Sequence, residues 1–187
     1  MRTAPIIENS FNSLLLGNRI NGSQPNTTIV MKGNSLVEAS NNIIKTGDMG
    51  NTITLESTSV LNISNSIIFN HNTSMPVFSG GFVKGKNNII CGRIYSNVEF
   101  YYSSVSENYT NFYNFFIDVN NSNFHLAPGS PAIRSGENGT DMGIYGGDNP
   151  FVDGGYPSIP SIYYLDVPLI GTQKEGINVT IKAKSNN

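Results

Sequence analysis

Short β-branched apolar runs recur along this chain, each led by asparagine and a small polar residue. Ile63 to Asn70 reads I-S-N-S-I-I-F-N. Ser40-Asn41-Asn42-Ile43-Ile44 and Lys86-Asn87-Asn88-Ile89-Ile90 follow the same pattern, and Phe11-Asn12-Ser13-Leu14-Leu15 reads as its first copy. Asn12, Asn41, Asn65 and Asn87 lie 29, 24 and 22 residues apart. Periods of this size mark solenoids. A helical repeat would set apolar residues at i, i+3, i+4 and i+7, whereas these runs are short, β-branched and bounded by Gly, Asn and Ser. That is a strand pattern.

Two further rows fall into step. Ile29-Val30-Met31, Ile53-Thr54-Leu55, Val77-Phe78 and Val98-Glu99-Phe100 sit between the Asn-led runs. Leu36, Val60 and Phe82 each lie five residues before the next repeat asparagine. Three strands per repeat at near-constant offsets predict coils that stack in parallel, with inward side chains forming one core. The extra length of the first repeat is assigned to a loop around Asn18 to Asn26. The asparagines are expected to form a structural ladder, Asn12, Asn41, Asn65 and Asn87, at a bend between strands. There an amide can bond to the next coil, and Asn tolerates the left-handed conformation. In Ile67-Ile68-Phe69 apolar side chains point to both faces. The outer face of that sheet is therefore expected to be covered, by the tail, a neighbouring chain or a ligand. The Asn-x-Ser/Thr triplets at Asn62, Asn72 and Asn108 are read as chance products of an Asn-, Ser- and Thr-rich composition.

Beyond Tyr95 the repeat blurs. Val98 to Val105 still reads as strand, and Tyr109 to Phe116 is aromatic-rich. The favoured reading is a cap that hides the open end of the solenoid and its unpaired edge. The alternative is a platform for sugar stacking, with Tyr101, Tyr102, Tyr109 and Tyr113 as the candidate glycan-contacting aromatics. From Asn123 the chain reads N-F-H-L-A-P-G-S-P-A-I-R-S-G, then D-M-G-I-Y-G-G to Gly147. Pro128-Gly129 predicts a turn, Asp141 is placed to bond local backbone amides, and Gly143, Gly146 and Gly147 permit a tight backbone path.

This motif, with the repeat at Asn65 to Phe69, resembles the C-terminal end of bacterial right-handed parallel β-helix proteins of the pectate-lyase-like superfamily. The resemblance spans roughly Phe11 to Gly147. Such proteins usually carry Asp where this chain has Arg134, so no role tied to that carboxylate transfers. The resemblance implies an all-β, right-handed parallel β-helix, with three strands per coil and about four to five coils by the repeat count. Residues 1–147 form the helix and its capping coil. Residues 148–187 form an extended tail that ends in a strand at Ile177 to Ile181 and packs on the solenoid or pairs with a partner.

Charged residues are 13% of the chain, about half the usual share, and Ser, Thr, Asn and Gly take their place. The net charge of −2 gives no electrostatic basis for nucleic-acid binding. No apolar run reaches the roughly 20 residues of a membrane span. The single Cys91 excludes an intrachain disulfide and reads as a small buried apolar residue. Met1-Arg-Thr-Ala-Pro lacks the pattern of a signal peptide. With a coil starting at once, this favours the C-terminal piece of a longer secreted or cell-surface chain whose N-terminal coils are missing here.

The acids of the repeat region, Glu8, Glu38, Asp48, Glu56 and Glu99, fall at different offsets, so no stacked carboxylate row is expected. His71 and His125 form no metal constellation. The expected function is therefore non-catalytic: a structural, adhesive or glycan-contacting module, its partners a polysaccharide or cell-surface glycan, with self-association a further option. The first alternative is a fragment of a polysaccharide lyase or glycoside hydrolase. No cofactor is expected, and Ca²⁺ enters only with a lyase. The second alternative is a segment of a phage-type tail fibre.

Overall fold

The computed structural model describes residues 6–10, 12–21, 28–46, 50–70, 75–94, 97–101, 103–106, 110–153, 161–168 and 176–184. The chain divides into two compact units, Met1–Pro150 and Phe151–Asn187.

The first unit is built on a parallel β-solenoid. Its first rung is β1 (Ile6–Glu8), β2 (Ser13–Leu16) and β3 (Arg19–Asn21). The second is β4 (Ile29–Lys32), β5 (Leu36–Ser40) and β6 (Ile43–Lys45), and the third β7 (Ile53–Leu55), β8 (Val60–Ser64) and β9 (Ile67–Phe69). The fourth is β10 (Phe78–Ser79), β11 (Phe82–Lys86) and β12 (Ile89–Cys91), and β13 (Val98–Tyr101) and β14 (Ser104–Ser106) belong to a fifth. Strands of equal rank pair in parallel. They give a first sheet β1-β4-β7-β10, a second β2-β5-β8-β11-β13 and a third β3-β6-β9-β12-β14. About three turns carry the chain from β1 round to β10.

The register corrects three assignments made from the sequence. Leu16 pairs with Ser40, so Gly17 stands opposite Asn41. Gly17 has φ 58°, and Asn41, Asn65 and Asn87 have φ 54°, 48° and 53°. The left-handed corner row is thus Gly17, Asn41, Asn65 and Asn87, spaced 24, 24 and 22 residues. Asn12 is also left-handed, at φ 59°, but it precedes β2 and turns a different corner. Glycine adopts this conformation without steric penalty, which is why the position is asparagine in three rungs and glycine in one. Val98 pairs with Val83, in the second sheet and not in the row of Ile29 and Ile53. The first-rung partner of Ile43-Ile44-Lys45 is Arg19-Ile20-Asn21. With one apolar residue, that strand carries almost no pattern, and it occupies part of the loop expected around Asn18 to Asn26.

The interior is one apolar cluster. The first sheet supplies Ile29, Met31, Ile53, Leu55 and Phe78, the second Val37, Ala39, Leu61, Ile63 and Val83, and the third Ile44, Ile68 and Ile90. In the second sheet the sequence alternates, as in β5, where Val37 and Ala39 are buried and Glu38 is exposed. In the third sheet β9 and β12 are buried at every position. A strand covered on both faces reads as a continuous apolar run.

Backbone groups at the corner after the second sheet are satisfied by the residue that follows the left-handed position. The Asn18 amide N–H donates to Asn42 Oδ1 at 2.9 Å, and the Asn42 N–H donates to Ser66 Oγ at 3.1 Å. The Ser66 N–H donates to Asn88 Oδ1 at 3.0 Å, and the Asn88 N–H to Ser103 Oγ at 3.1 Å. In return Asn42 Nδ2 donates to the Leu15 carbonyl at 2.7 Å, and Asn88 Nδ2 to the Ile63 carbonyl at 2.8 Å. Asn42, Ser66 and Asn88 are fully buried. The stacked ladder is therefore Asn18, Asn42, Ser66, Asn88 and Ser103, whose Asn42, Ser66 and Asn88 each follow by one residue the Asn41, Asn65 and Asn87 of the expected row.

The outer face of the third sheet is covered by the chain itself. Ile43, Ile67, Phe69, Ile89 and Cys91 point outward into a second buried cluster. Its other half comes from α1 (Thr110–Tyr113), β15 (Phe116–Asp118), β16 (Asn123–Leu126) and the turns that follow, through Phe112, Phe116, Phe124, Ala132, Met142 and Ile144. The Phe112 ring stacks on Phe69 with centroids 4.2 Å apart and planes at 12°. Phe116 meets Phe124 edge-on at 5.4 Å. β15 and β16 pair antiparallel, so this segment adds no coil to the solenoid. The aromatic stretch expected to cap the end lies instead against the flank of the solenoid, because the apolar outer face of β6, β9 and β12 is the surface that needs burial.

In the second unit β17 (Ser161–Asp166) pairs antiparallel with β18 (Thr180–Lys184). The terminal strand expected at Ile177 to Ile181 starts later, at Thr180, and β17 is a partner strand beyond the single strand expected there. The prolines at 157 and 160 lie outside the described residues.

Two outcomes follow. Asn88→Ala removes one acceptor and one donor from buried backbone groups. We expect a loss of about 1–3 kcal/mol for each group left unpaired, read by urea denaturation; a midpoint equal to that of the parent chain contradicts the ladder. Burial also pushes the Cys91 thiol up from 9.0 to about 11. The unfolded thiol ionises first, so this contribution to stability is full below pH 9 and is lost as pH rises toward about 11. Thiol-reactive dye at mildly alkaline pH should label the native protein only at the rate of unfolding. Labelling as fast as in urea contradicts the burial.

Candidate functional site

The left-handed corner row faces outward and is engaged by the cover. Asn65 Oδ1 accepts the Glu137 N–H at 2.8 Å, and the Asn65 carbonyl accepts the Gly143 N–H at 2.8 Å. Asn41 Nδ2 donates to the Gly143 carbonyl at 3.3 Å, and Asn87 Nδ2 to the Ser135 carbonyl at 3.1 Å. These three amides tie the 135–143 loop to three successive rungs. Within that loop the Arg134 N–H donates to Asp141 Oδ1 at 2.8 Å, the local bond expected of Asp141. A Cβ at Gly146 would stand 1.7 Å from the Asp141 carbonyl, so only glycine fits there. Asn41, Asn65 and Asn87 are thus docking residues for the cover.

The four candidate aromatics have different surroundings. Tyr102 and Tyr109 lie outside the described residues. Tyr113 belongs to the cover: its ring meets Phe69 edge-on at 5.9 Å, and Lys45 Nζ lies 5.4 Å from its centroid. Tyr101 is 61% exposed at the end of β13, on the outer face of the second sheet. His125 stacks on Tyr145 at 3.9 Å in β16. Among the described residues no three His, Cys, Asp or Glu side chains stand together to hold a metal ion. Among the described residues no helix is long and apolar enough to cross a membrane.

The outer face of the second sheet carries two rows of stacked side chains that cross all five strands, beside a shorter apolar row of Leu36, Val60 and Phe82. One runs Leu14, Glu38, Asn62, Lys84, Glu99, and the other Leu16, Ser40, Ser64, Lys86, Tyr101. Glu38 and Glu99 therefore share a row, contrary to the different offsets read from the sequence; moving Val98 into the second sheet puts them in step. Asn62 and Lys84 stand between them. Three interstrand steps separate the two carboxylates by roughly 14 Å, beyond the ~5–9.5 Å at which paired carboxylates hydrolyse a glycosidic bond. Asn62 Nδ2 donates to Glu38 Oε1 at 2.5 Å. Of the other acids, Glu56 Oε2 accepts the Gly33 N–H at 2.6 Å, and Asp48 lies outside the described residues.

Two clefts open along the second row. One, of about 270 Å³, lies between Leu16, Ser40 and Ser64 on the sheet side and Glu137, Asn138, Thr140 and the 146–149 turn on the cover side. The other, of about 200 Å³, lies among Glu38, Asn62, Lys84, Lys86 and Tyr101. Ser64 lines both, so they adjoin. Lys86 Nζ and Glu137 form an ion pair that ties the sheet to the cover loop beside this junction. The groove was not legible in the sequence, because one wall comes from residues about 70 positions away from Ser64 and Asn65.

Comparison with models of known families, with curated proteins and with solved structures finds no match for this chain.

Asn65→Ala should release the cover loop locally. Hydrogen exchange at the Glu137 amide is expected to quicken about tenfold or more, as loss of a bond worth ~1–3 kcal/mol implies. Asn65→Asp keeps an acceptor and tolerates the left-handed backbone, so it should stay near the parent rate. Equal exchange in all three proteins contradicts the docking role.

Proposed function

We propose that this chain is a non-catalytic β-helix module that contacts glycan through the groove on its second sheet. In this reading it forms the C-terminal part of a larger secreted or cell-surface bacterial protein of the pectate-lyase-like, right-handed class. The motif from Phe124 to Gly147 supports the class and the setting.

The observation that carries the glycan reading is the pairing of an exposed tyrosine with a polar groove floored by stacked rungs. Tyr and sugar rings stack through apolar faces, while hydroxyl and amide side chains bond to sugar hydroxyls. The groove offers both, with Tyr101 beside Lys84, Asn62 and Ser64. The separation of Glu38 from Glu99 supports binding without hydrolysis.

The test is retention of the full chain on a panel of insoluble polysaccharides and cell-wall preparations. At least one glycan should retain the protein without release of soluble sugar. Tyr101→Ala and Lys84→Ala, both surface changes, should weaken retention with the thermal midpoint unchanged. Failure of every glycan to retain the folded chain, or release of oligosaccharide that a double Glu38→Gln and Glu99→Gln variant abolishes, contradicts the reading.

A further inference from the structure

The composition of the groove narrows the ligand, on the premise that it binds glycan. Its floor is a row of rung-spaced side chains that runs along the solenoid axis from Leu16 to Tyr101. Five strands give four interstrand steps, roughly 19 Å in all at ~4.8 Å each. A site this long and narrow fits an extended polymer better than a compact molecule.

Its charge is unsuited to an acidic polymer. Three carboxylates, Glu38, Glu137 and Asp148, line the two clefts against two ammonium groups, Lys84 and Lys86. Lys86 is already paired with Glu137, and Lys84 stands beside Glu99 in the register. A polyuronate would meet a net negative surface and lose binding to like-charge repulsion. Beside Leu16, Ile63, Tyr101 and four glycines, the remaining polar lining groups are serine and threonine hydroxyls and asparagine amides, each both donor and acceptor, which match a ligand rich in neutral hydroxyls.

We propose that the joined groove binds a linear, uncharged polysaccharide along the solenoid axis. One sugar stacks on Tyr101 and successive sugars bond to successive rungs across Ser64 toward the cover loop. The ligand thus bridges the second sheet and the 137–149 segment, and Ser64, at the junction, is the point where it crosses.

The experiment is calorimetric titration of the full chain with neutral glucan, xylan and mannan oligosaccharides, disaccharide to hexasaccharide, and with tetragalacturonate, at low and high salt. At least one neutral series should bind, with affinity rising to about four sugars, one per interstrand step, and little change with salt. Tyr101→Ala should weaken it about tenfold. Ser64→Tyr, which fills the junction from the exposed face, should abolish the gain beyond a disaccharide while circular dichroism shows the fold intact. Tighter binding of tetragalacturonate, affinity independent of length, or parent-like binding by Ser64→Tyr overturns the inference. Retention on an insoluble glycan with no uptake of any neutral oligosaccharide also overturns it, yet leaves the broader glycan reading standing. Absence of binding in both experiments removes both.

Discussion

Every rung of this solenoid must turn a sharp corner after its second strand without leaving buried backbone groups unpaired. Two adjacent residues meet that demand by different means. The first takes a left-handed conformation, which asparagine and glycine tolerate at little cost. The second turns inward and bonds to the backbone of the neighbouring rung. Asn42 accepts from an N–H of the first rung and donates to a carbonyl of that same rung, and Asn88 does the same with the third rung. Leaving such groups unpaired would cost about 1–3 kcal/mol each, so the ladder fixes the in-register stacking on which both apolar clusters rest.

The same corner also sets what lies outside. Because the first residue of the pair is asparagine in three rungs, its side chain is available to hold the 135–143 loop. That loop completes a cover whose aromatic side chains pack on Ile67, Phe69 and Cys91. A corner that closes the coil thereby positions the segment that seals the third sheet. The cover in turn supplies one wall of the groove beside the second sheet. Shape at the surface is inherited from a backbone constraint in the interior.

The sequence carries the parallel solenoid plainly, because in-register stacking imposes similar residues at similar offsets. It carries the burial of both faces of the third sheet as well, in Ile67-Ile68-Phe69 and Ile89-Ile90-Cys91. What escaped it was non-periodic. Arg19-Ile20-Asn21 is a strand only because Ile43-Ile44-Lys45 lies above it. Asn12 mimics the repeat motif one corner too early. The shared row of Glu38 and Glu99 depends on a rung shortened to 15 residues between Val83 and Val98. The covering role of Phe112 to Ile144 is set by long-range packing that local pattern does not encode.

A solenoid with its third sheet sealed by its own chain leaves the outer face of its second sheet open, with polar rung-spaced side chains beside the exposed Leu14, Leu16, Phe82 and Tyr101. Hydroxyl-radical footprinting of the native chain tests that division most directly. Phe112, Phe116 and Met142 should be as slow to oxidise as Phe69 and Met31, whereas Phe82 and Tyr101 should oxidise rapidly. Rapid oxidation of Phe112 and Met142 with Phe69 would show the third sheet open, and would contradict the account at its centre.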